Sequence, residues 1–527
     1  MLRSGHAATS PVILEAETGR LVAGAVNVVD PTASGGAAVT FRQSAGSSVG
    51  TLPFDMPSQT VLKASSKKVY AHYFTPYPIS EDNVDPGVDY YSRNYNNPTG
   101  EVNKYFAEGG MFRQRPIPRT PLVAPKYPVP NSWQVADMKT EVNRATNAGL
   151  DGFTVDVLGT GGQNWDRLHQ LLDAVPQVDP KFKIMLMPDT NSIVANNYTA
   201  IGYAASIANI AQAYPTTVAK LDDGRLIITP FAPENKGAAF WQTFLDTMQN
   251  TYHIPVAFVP CFIYFDSSQA ANPKFSSFFN MSYGLSSWGG RSQASNSTVT
   301  AVNNVLFSHN TLSNKIWMAP VAVQDVRPNQ HTYDEADNSE LLRKTWNNAI
   351  ASGADWVQIP TWNDYSEGAE ISPSTHTGWG PLDISSYYLS RYKSSTASWP
   401  MIVRDVIYLS HRVQSAGATV TNETKPMVLR SGSSPARDKI EVLAFLISKA
   451  DISLTVAGGT TKSAVVQAAD GSSAVVFNLT ASGAGTVSAS VSRSGGAATT
   501  TVTSPFAITT GNVNIQDEQY YFITSGR

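Results

Sequence analysis

Between Lys67 and Tyr392 short β-rich runs alternate with helical patterns. KKVYAHYF, GFTVDVLG, KFKIMLMPD, RLIITPFAPE, PVAFVPCFIYF, MSYGLSSWG, KIWMAPVAVQDV and ADWVQIPTWND make eight β segments. Each is followed by a helical stretch or a place for one. The first helix is SWQVADMKTEVNRATNAGL, with Val135, Met138, Val142 and Ala145 at helical spacing and Gly149 as a stop. Near-continuous apolar strands in a β/α series need helices over both faces of a parallel sheet. Eight such units in roughly 250–350 residues predict a closed (β/α)8 TIM barrel. A doubly wound open sheet is the alternative, but the Gly-rich nucleotide loop after its first strand is missing.

Texture changes near Trp399. DKIEVLAFLI, ADISLTVAGG, SAVVFNLTAS, GTVSASVSRS and ATTTVTSPFAI are short strands separated by Ala-Gly-Gly, Asp-Gly and Ser-Gly-Gly turns. They predict an antiparallel β-sandwich over residues 399–527. Residues 1–60 hold further β-like runs, VILEAETGRLVAGAVNVV and SGGAAVTFRQ, too few for their own core. They are expected to pack on the C-terminal sandwich. The catalytic barrel is then residues 61–398.

The bulk numbers exclude several function classes. With a net charge of −3 and no Lys/Arg-rich run, nucleic acid is not an expected partner. No apolar stretch is long enough to span a membrane. Cys261 is the single cysteine, so there is no internal disulfide framework, and its apolar setting reads as a small buried hydrophobe. The opening MLRSGHAATS lacks the apolar core of a signal peptide. Asn-x-Ser/Thr acceptors at Asn197, Asn280, Asn296, Asn422 and Asn478 favour an extracellular protein, its signal absent from this sequence.

Chemistry in such a barrel collects at the carboxyl ends of the strands. There the sequence places His72 and Tyr73, Asp156, Asp189, Glu234, Asp266, Trp288, Gln324 with Asp325, and finally Asp364 and Glu367. Asp151, at the opposite end of its strand, reads as structural, and Asp266 and Asp325 as loop or salt-bridge acids. The pair Asp364/Glu367 stands among Trp362 and Tyr365, in a stretch broken by Gly368 and Pro373. Cleaving a glycosidic bond needs one protonated acid for the leaving oxygen and one ionised carboxylate. Crowded acids push one pKa upward, and aromatic rings form platforms for sugar faces. Candidate catalytic residues are Asp364, Glu367 and Asp156. Candidate sugar-binding residues are His72, Tyr73, Asp189, Trp288, Trp362, Tyr365 and Trp379. No His-x-x-x-His or compact ligand cluster points to a metal, and no cofactor is expected.

AHYF at 71–74, the segment from Trp133 to Val157 containing GLDGFTVDV, WMAPV at 317–321 and QIPTWNDYSE at 358–367 resemble glycoside hydrolase family 71. That resemblance implies a secreted (β/α)8 α-1,3-glucanase with a β-sandwich after the barrel. It also implies that the family's essential Asp and Glu fall on Asp364 and Glu367, and that the anomeric centre is inverted. On that analogy Glu367 is the general acid and Asp364 the base, with Asp156 or Asp189 binding the −1 sugar. Ser366 and Gly368-Ala369-Glu370 depart from the family pattern, and the excursion from Pro76 to Asn131 is longer than the family's. Glu-Gly-x-x-Ile-x-Pro is also similar to the last strand of endo-α-mannosidases. The expected function is a secreted endo-α-1,3-glucanase acting on an α-glucan polysaccharide. The rivals are an endo-α-mannosidase-like hydrolase, a non-catalytic carbohydrate-binding barrel and a secreted structural protein.

Overall fold

The structure is a computed structural model that describes residues 25–29, 37–41, 51–119, 132–265, 269–296, 312, 314–396, 398–456, 462–466, 472–478, 484–493 and 498–527. The strand reading at 12–24, the stretch 298–310 between the sixth and seventh β segments, and Asp266 lie outside the described residues. Residues 1–49 form one compact unit and residues 50–527 a second. In the first, β1 (Ala25–Val29) and β2 (Ala37–Phe41) pair as an antiparallel ribbon.

The second unit is built on parallel strands. In chain order they are β3 (Lys68–Tyr73), β4 (Gly152–Val157), β5 (Lys183–Pro188), β6 (Leu226–Ile228), β7 (Val256–Phe258), β8 (Cys261–Phe262), β9 (Gly284–Ser287), β10 (Ile316–Pro320) and β13 (Trp356–Ile359). Each pairs in parallel with its sequence neighbour from β3 to β7 and from β8 to β10, and β13 pairs with both β10 and β3. β7 and β8 are two pieces of one extended stretch. The first hydrogen-bonds to β6 and the second to β9, and Phe231 bridges to Cys261. The ladder therefore runs through eight staves and returns to its start, a TIM-barrel-like circuit.

Helices cover the outside. The main ones are Ser132–Asn147, Gln163–Val178, Ala200–Ala213, Ala238–Asn250, Glu340–Ala351 and Gly380–Lys393. Their apolar faces and the outward strand residues, such as Val69, Val155, Ile184 and Val357, share one large core. A smaller cluster including Tyr70, Met185, Ala257, Met318 and Trp356 forms separately. Asp151 behaves as a structural acid. It accepts from Val69 N at 2.7 Å and pairs with Lys393 at 2.6 Å. Cys261 is fully buried, and burial pushes its thiol pKa up.

Beyond the barrel lie antiparallel sheets. β14 (Val406–His411) is flanked by β16 (Lys439–Phe445) and β22 (Tyr521–Thr524), with β19 (Ser472–Asn478) beyond β16. A second sheet has the order β18 (Lys462–Val466), β17 (Ala450–Val456), β20 (Val487–Ser492), β21 (Thr500–Thr503). Alternate residues of β17 and β20 are buried, and Ile407, Val442, Ile452, Leu454, Val487 and Val491 meet in one cluster fed by both sheets. A three-stranded sheet ties this region to the barrel. Its strands are β11 (Asp325–Arg327), β12 (Thr332–Asp334) and β15 (Val428–Leu429). Among the acceptor sites, Asn296 is 2% exposed and its amide nitrogen donates to the Gly290 and Ser292 carbonyls. It is thus closed to modification in the folded chain, whereas Asn197, Asn280 and Asn422 are exposed.

Candidate active site

Strand β13 ends at Ile359, and the chain then makes a tight loop before rejoining itself. Thr361 N donates to Ala369 O at 3.1 Å and Ile371 N to Thr361 O at 2.9 Å, so residues 362–368 project as a closed loop. Asn363 fixes this loop to the end of the first barrel strand. Its Oδ1 accepts from Phe74 N at 2.7 Å, and its Nδ2 donates to the carbonyls of Phe74 and Tyr77 at 2.9 and 2.7 Å. Asp364 N is held by Thr361 Oγ1 at 2.9 Å. Gly368 has φ +55°, and a Cβ there would stand 2.7 Å from Gln519 Nε2. The left-handed backbone therefore favours glycine here.

The two acids of the loop receive different partners. Asp364 Oδ1 accepts from the Ser366 hydroxyl at 2.7 Å and the Ser366 amide at 3.2 Å. Glu367 Oε1 lies 2.6 Å from Arg327 Nη1. Arg327 is itself tied to Asp325, through Nε at 2.7 Å and Nη2 at 2.5 Å. Burial pushes both loop acids above the ordinary carboxylate range. The Asp364 charge raises Glu367 further, against Arg327, while the two Ser366 donors and Arg327 pull Asp364 down. Two donors on one oxygen favour the ionised form of Asp364. Arg327 is already partly neutralised by Asp325, so its pull on Glu367 is shared.

Other rim residues gather nearby. Asp156, 4% exposed, is pushed well up by burial and by the charges of Asp189 and Asp364. His72 Nε2 lies 3.9 Å from Asp156 Oδ2, and its Nδ1 meets Met187 Sδ at 3.1 Å. Burial, aided by the Arg291 charge, lowers the His72 pKa to about 3, so the imidazole is neutral and the Asp156 contact is not an ion pair. The half-buried Trp288 ring stands edge-on to His72 and to Phe231, each at 4.8 Å between centroids. Asp189 caps the helix Thr190–Ala195, accepting from Ser192 N at 2.6 Å. That bond is the ordinary work of an N-cap.

Four aromatic candidates sit differently from the sequence expectation. Tyr73, Trp362 and Tyr365 have no exposed surface, so in this conformation none of them can touch a ligand. Tyr73 and Trp362 pack on Phe153 at 5.2 and 5.0 Å, and Tyr365 joins Tyr77, Tyr91 and Phe112 under the loop. They support the site from beneath. Trp379 lies between the guanidinium groups of Arg527, at 3.9 Å, and Arg144, at 5.8 Å, in a seam between a barrel helix and the chain's last residue. Sequence reasoning missed Arg327, Arg291, Ser366 and Asn363 as working residues. The Asp-Val-Arg triplet after strand β10 was the available signal for Arg327, since an arginine at the rim can pair with a rim acid. Among the described residues no three His, Cys, Asp or Glu side chains group as metal ligands.

A barrel rim carrying two adjacent buried acids is an arrangement that glycoside hydrolysis can use. The chain belongs to glycosyl hydrolase family 71, whose sequence profile matches residues 122–522. It is 23% identical over 367 residues to glucan endo-1,3-alpha-glucosidase agn1 of Schizosaccharomyces pombe, covering 65% of this chain and 80% of that protein. It is 25% identical over 390 residues to the ascus wall endo-1,3-alpha-glucanase of the same organism, covering 67% and 85%. A mutanase of Penicillium rubens is 24% identical over 397 residues, covering 69% and 79%. Among solved structures, the GH99 endo-alpha-mannosidase of Bacteroides thetaiotaomicron aligns with a TM-score of 0.44 at 15% identity, covering 62% of this chain and 97% of that one.

Proposed function

We propose that this glycoside hydrolase cleaves α-1,3-linked glucan internally, outside the cell, with inversion at the anomeric carbon. The observation that carries the mechanism is the unequal setting of the two loop acids, Ser366 donors on Asp364 and a shared arginine on Glu367. Glu367 gives its proton to the departing glycosidic oxygen as the C–O bond breaks. Asp364 takes a proton from the water that attacks the anomeric carbon from the opposite face. Asp156 and Asp189 line the sugar site, with Trp288 and the neutral His72 as its apolar border. The named activities of the relatives support the α-1,3-glucan substrate. Residues 61–398 are the catalytic barrel, and residues 399–527 a β-sandwich appended to it.

Product analysis on α-1,3-glucan and on α-mannan tests the substrate. Turnover of mannan alone overturns the reading in favour of a mannosidase. Asp364→Asn and Glu367→Gln are each expected to lower turnover at least a hundredfold, the order lost when an acid or base is removed. Unchanged turnover in either removes that residue from the mechanism. NMR of the first-formed anomer checks inversion.

A further inference from the structure

Arg291 is 5% exposed, and among the described residues none of its three guanidinium nitrogens has a hydrogen-bond partner. Its nearest charged neighbour is Asp325, with Nε 3.7 Å from Oδ2, and its guanidinium lies 5.4 Å from the Trp288 ring centroid. Asp325 is fully buried and already holds Arg327 through two bonds, with Arg430 Nη2 3.3 Å away. Three arginines thus surround one aspartate behind the catalytic loop. A buried guanidinium without hydrogen bonds destabilises the folded chain, because desolvation is not compensated.

We propose that Arg291 is a positioning residue that stabilises the carboxylate Glu367 becomes when it gives its proton to the leaving oxygen. The proposal rests on the acid role assigned to Glu367 above. Of the three arginines around Asp325, Arg430 is also held by Asp334 at 3.0 Å and Arg327 reaches Glu367, while among the described residues Arg291 has only its 3.7 Å contact to Asp325 as an ion pair. Proton transfer to the glycosidic oxygen leaves a negative charge on Glu367, against Arg327 and within the field of Arg291. The charge is oriented before the reaction, so no reorganisation is needed when the bond breaks. The charged groups acting on Glu367 are Asp364, Arg327, Asp325 and Arg291. Arg291 feels Asp325, Glu367, Arg327 and Asp334.

The test compares wild type with Arg291→Met and Arg291→Lys on α-1,3-gluco-oligosaccharides and on an aryl α-1,3-gluco-oligosaccharide with an activated leaving group. Without the positive charge Glu367 holds its proton more tightly. The alkaline limb of kcat/KM in R291M is expected to move up by about one pH unit, a tenfold change in the proton affinity of the acid. The kcat should fall about tenfold or more on the natural linkage, and much less on the activated aryl substrate, which needs little help from an acid. R291K keeps a charge and should restore most of both. Thermal melting is the control that R291M stays folded, since Asp325, the partner of Arg291 at 3.7 Å, keeps Arg327 and Arg430. Unchanged limbs, equal losses on both substrates, or a folded state lost in R291M would each overturn the proposal. If wild type cleaves neither substrate, the hydrolase reading fails instead, and the two failures are distinct.

Discussion

Replacing Ser366 with alanine removes one hydroxyl 2.7 Å from Asp364 Oδ1 and leaves the backbone amide bond at 3.2 Å in place. A hydrogen bond to a charged group contributes about 1.5–3 kcal/mol. Here it acts only on the ionised form, so its loss is a difference between protonation states. At 1.36 kcal/mol per pKa unit, Asp364 should rise by about one to two units. The base must be ionised to accept a proton from water, so activity falls as pH drops through the Asp364 pKa. The acid limb of kcat/KM in S366A is therefore expected to shift to higher pH by about one to two units, with the alkaline limb little changed. The assay is initial-rate hydrolysis of a soluble α-1,3-gluco-oligosaccharide across the pH range, with melting curves as a control. Ser366→Thr keeps the hydroxyl and should keep the limb. An acid limb unmoved in S366A would refute the assignment of Asp364 as the ionised partner.

Two further outcomes follow from the loop's surroundings. Asn363→Ala removes three hydrogen bonds and leaves the Phe74 amide and the Tyr77 carbonyl without their Asn363 partner, at about 1–3 kcal/mol per group, while the Phe74 carbonyl keeps Tyr77 N. The urea midpoint should fall by an amount equal to about 2–6 kcal/mol with m unchanged, and an unaltered midpoint would show that the loop is not pinned this way. Glu370 is fully buried, accepts from Gln114 Nε2 at 2.5 Å, and is raised by burial to about 8. Its folded pKa lies above the unfolded one, so its contribution is fully present below the unfolded carboxylate pKa and is lost as pH rises through about 8. Glu370→Gln should melt higher than wild type near about pH 9 and nearly equal to it near about pH 5; parallel curves would contradict this.

The barrel was legible because each strand and helix carries its own period. Helix Gln163–Val178 buries Leu168, Leu171, Leu172 and Val175 at helical spacing, and β4 is buried along its whole length. Asp156, Asp189 and the Asp364/Glu367 pair could be placed on the rim by counting residues to each strand's end. Side-chain direction could not be read that way. Trp362 and Tyr365 flank Asp364 in sequence, yet the tight loop turns them inward onto Phe153 and Phe112. Residues that act from other segments left even less trace. Arg327 belongs to a hairpin strand after β10, and Arg291 to a bend after β9, and neither stands beside an acid motif that would mark it. The strand Val406–His411 also escaped notice, because its neighbours are β16 and β22, the latter more than a hundred residues further on.

These distant pieces explain why barrel and C-terminal sheets form one compact unit. Gln519 from the last segment lies against Gly368, and Tyr520 N donates to Gln324 Oε1 at 3.0 Å. Arg412, 0% exposed, pairs with the barrel's Glu335 at 3.0 Å, and Tyr520 Oη donates to the same carboxylate at 2.7 Å. Breaking a buried pair by removing one partner costs about 3–5 kcal/mol, since the other charge is stranded. Arg430 bears directly on the site by joining Asp325, which orients Arg327 toward Glu367. Glu367 is thus set by a line of alternating charges that begins outside the barrel. A barrel isolated from residues 399–527 would lose that line and leave Glu335 and Asp383 buried without their arginines, so the appended region also holds the charges of the barrel's rim in place.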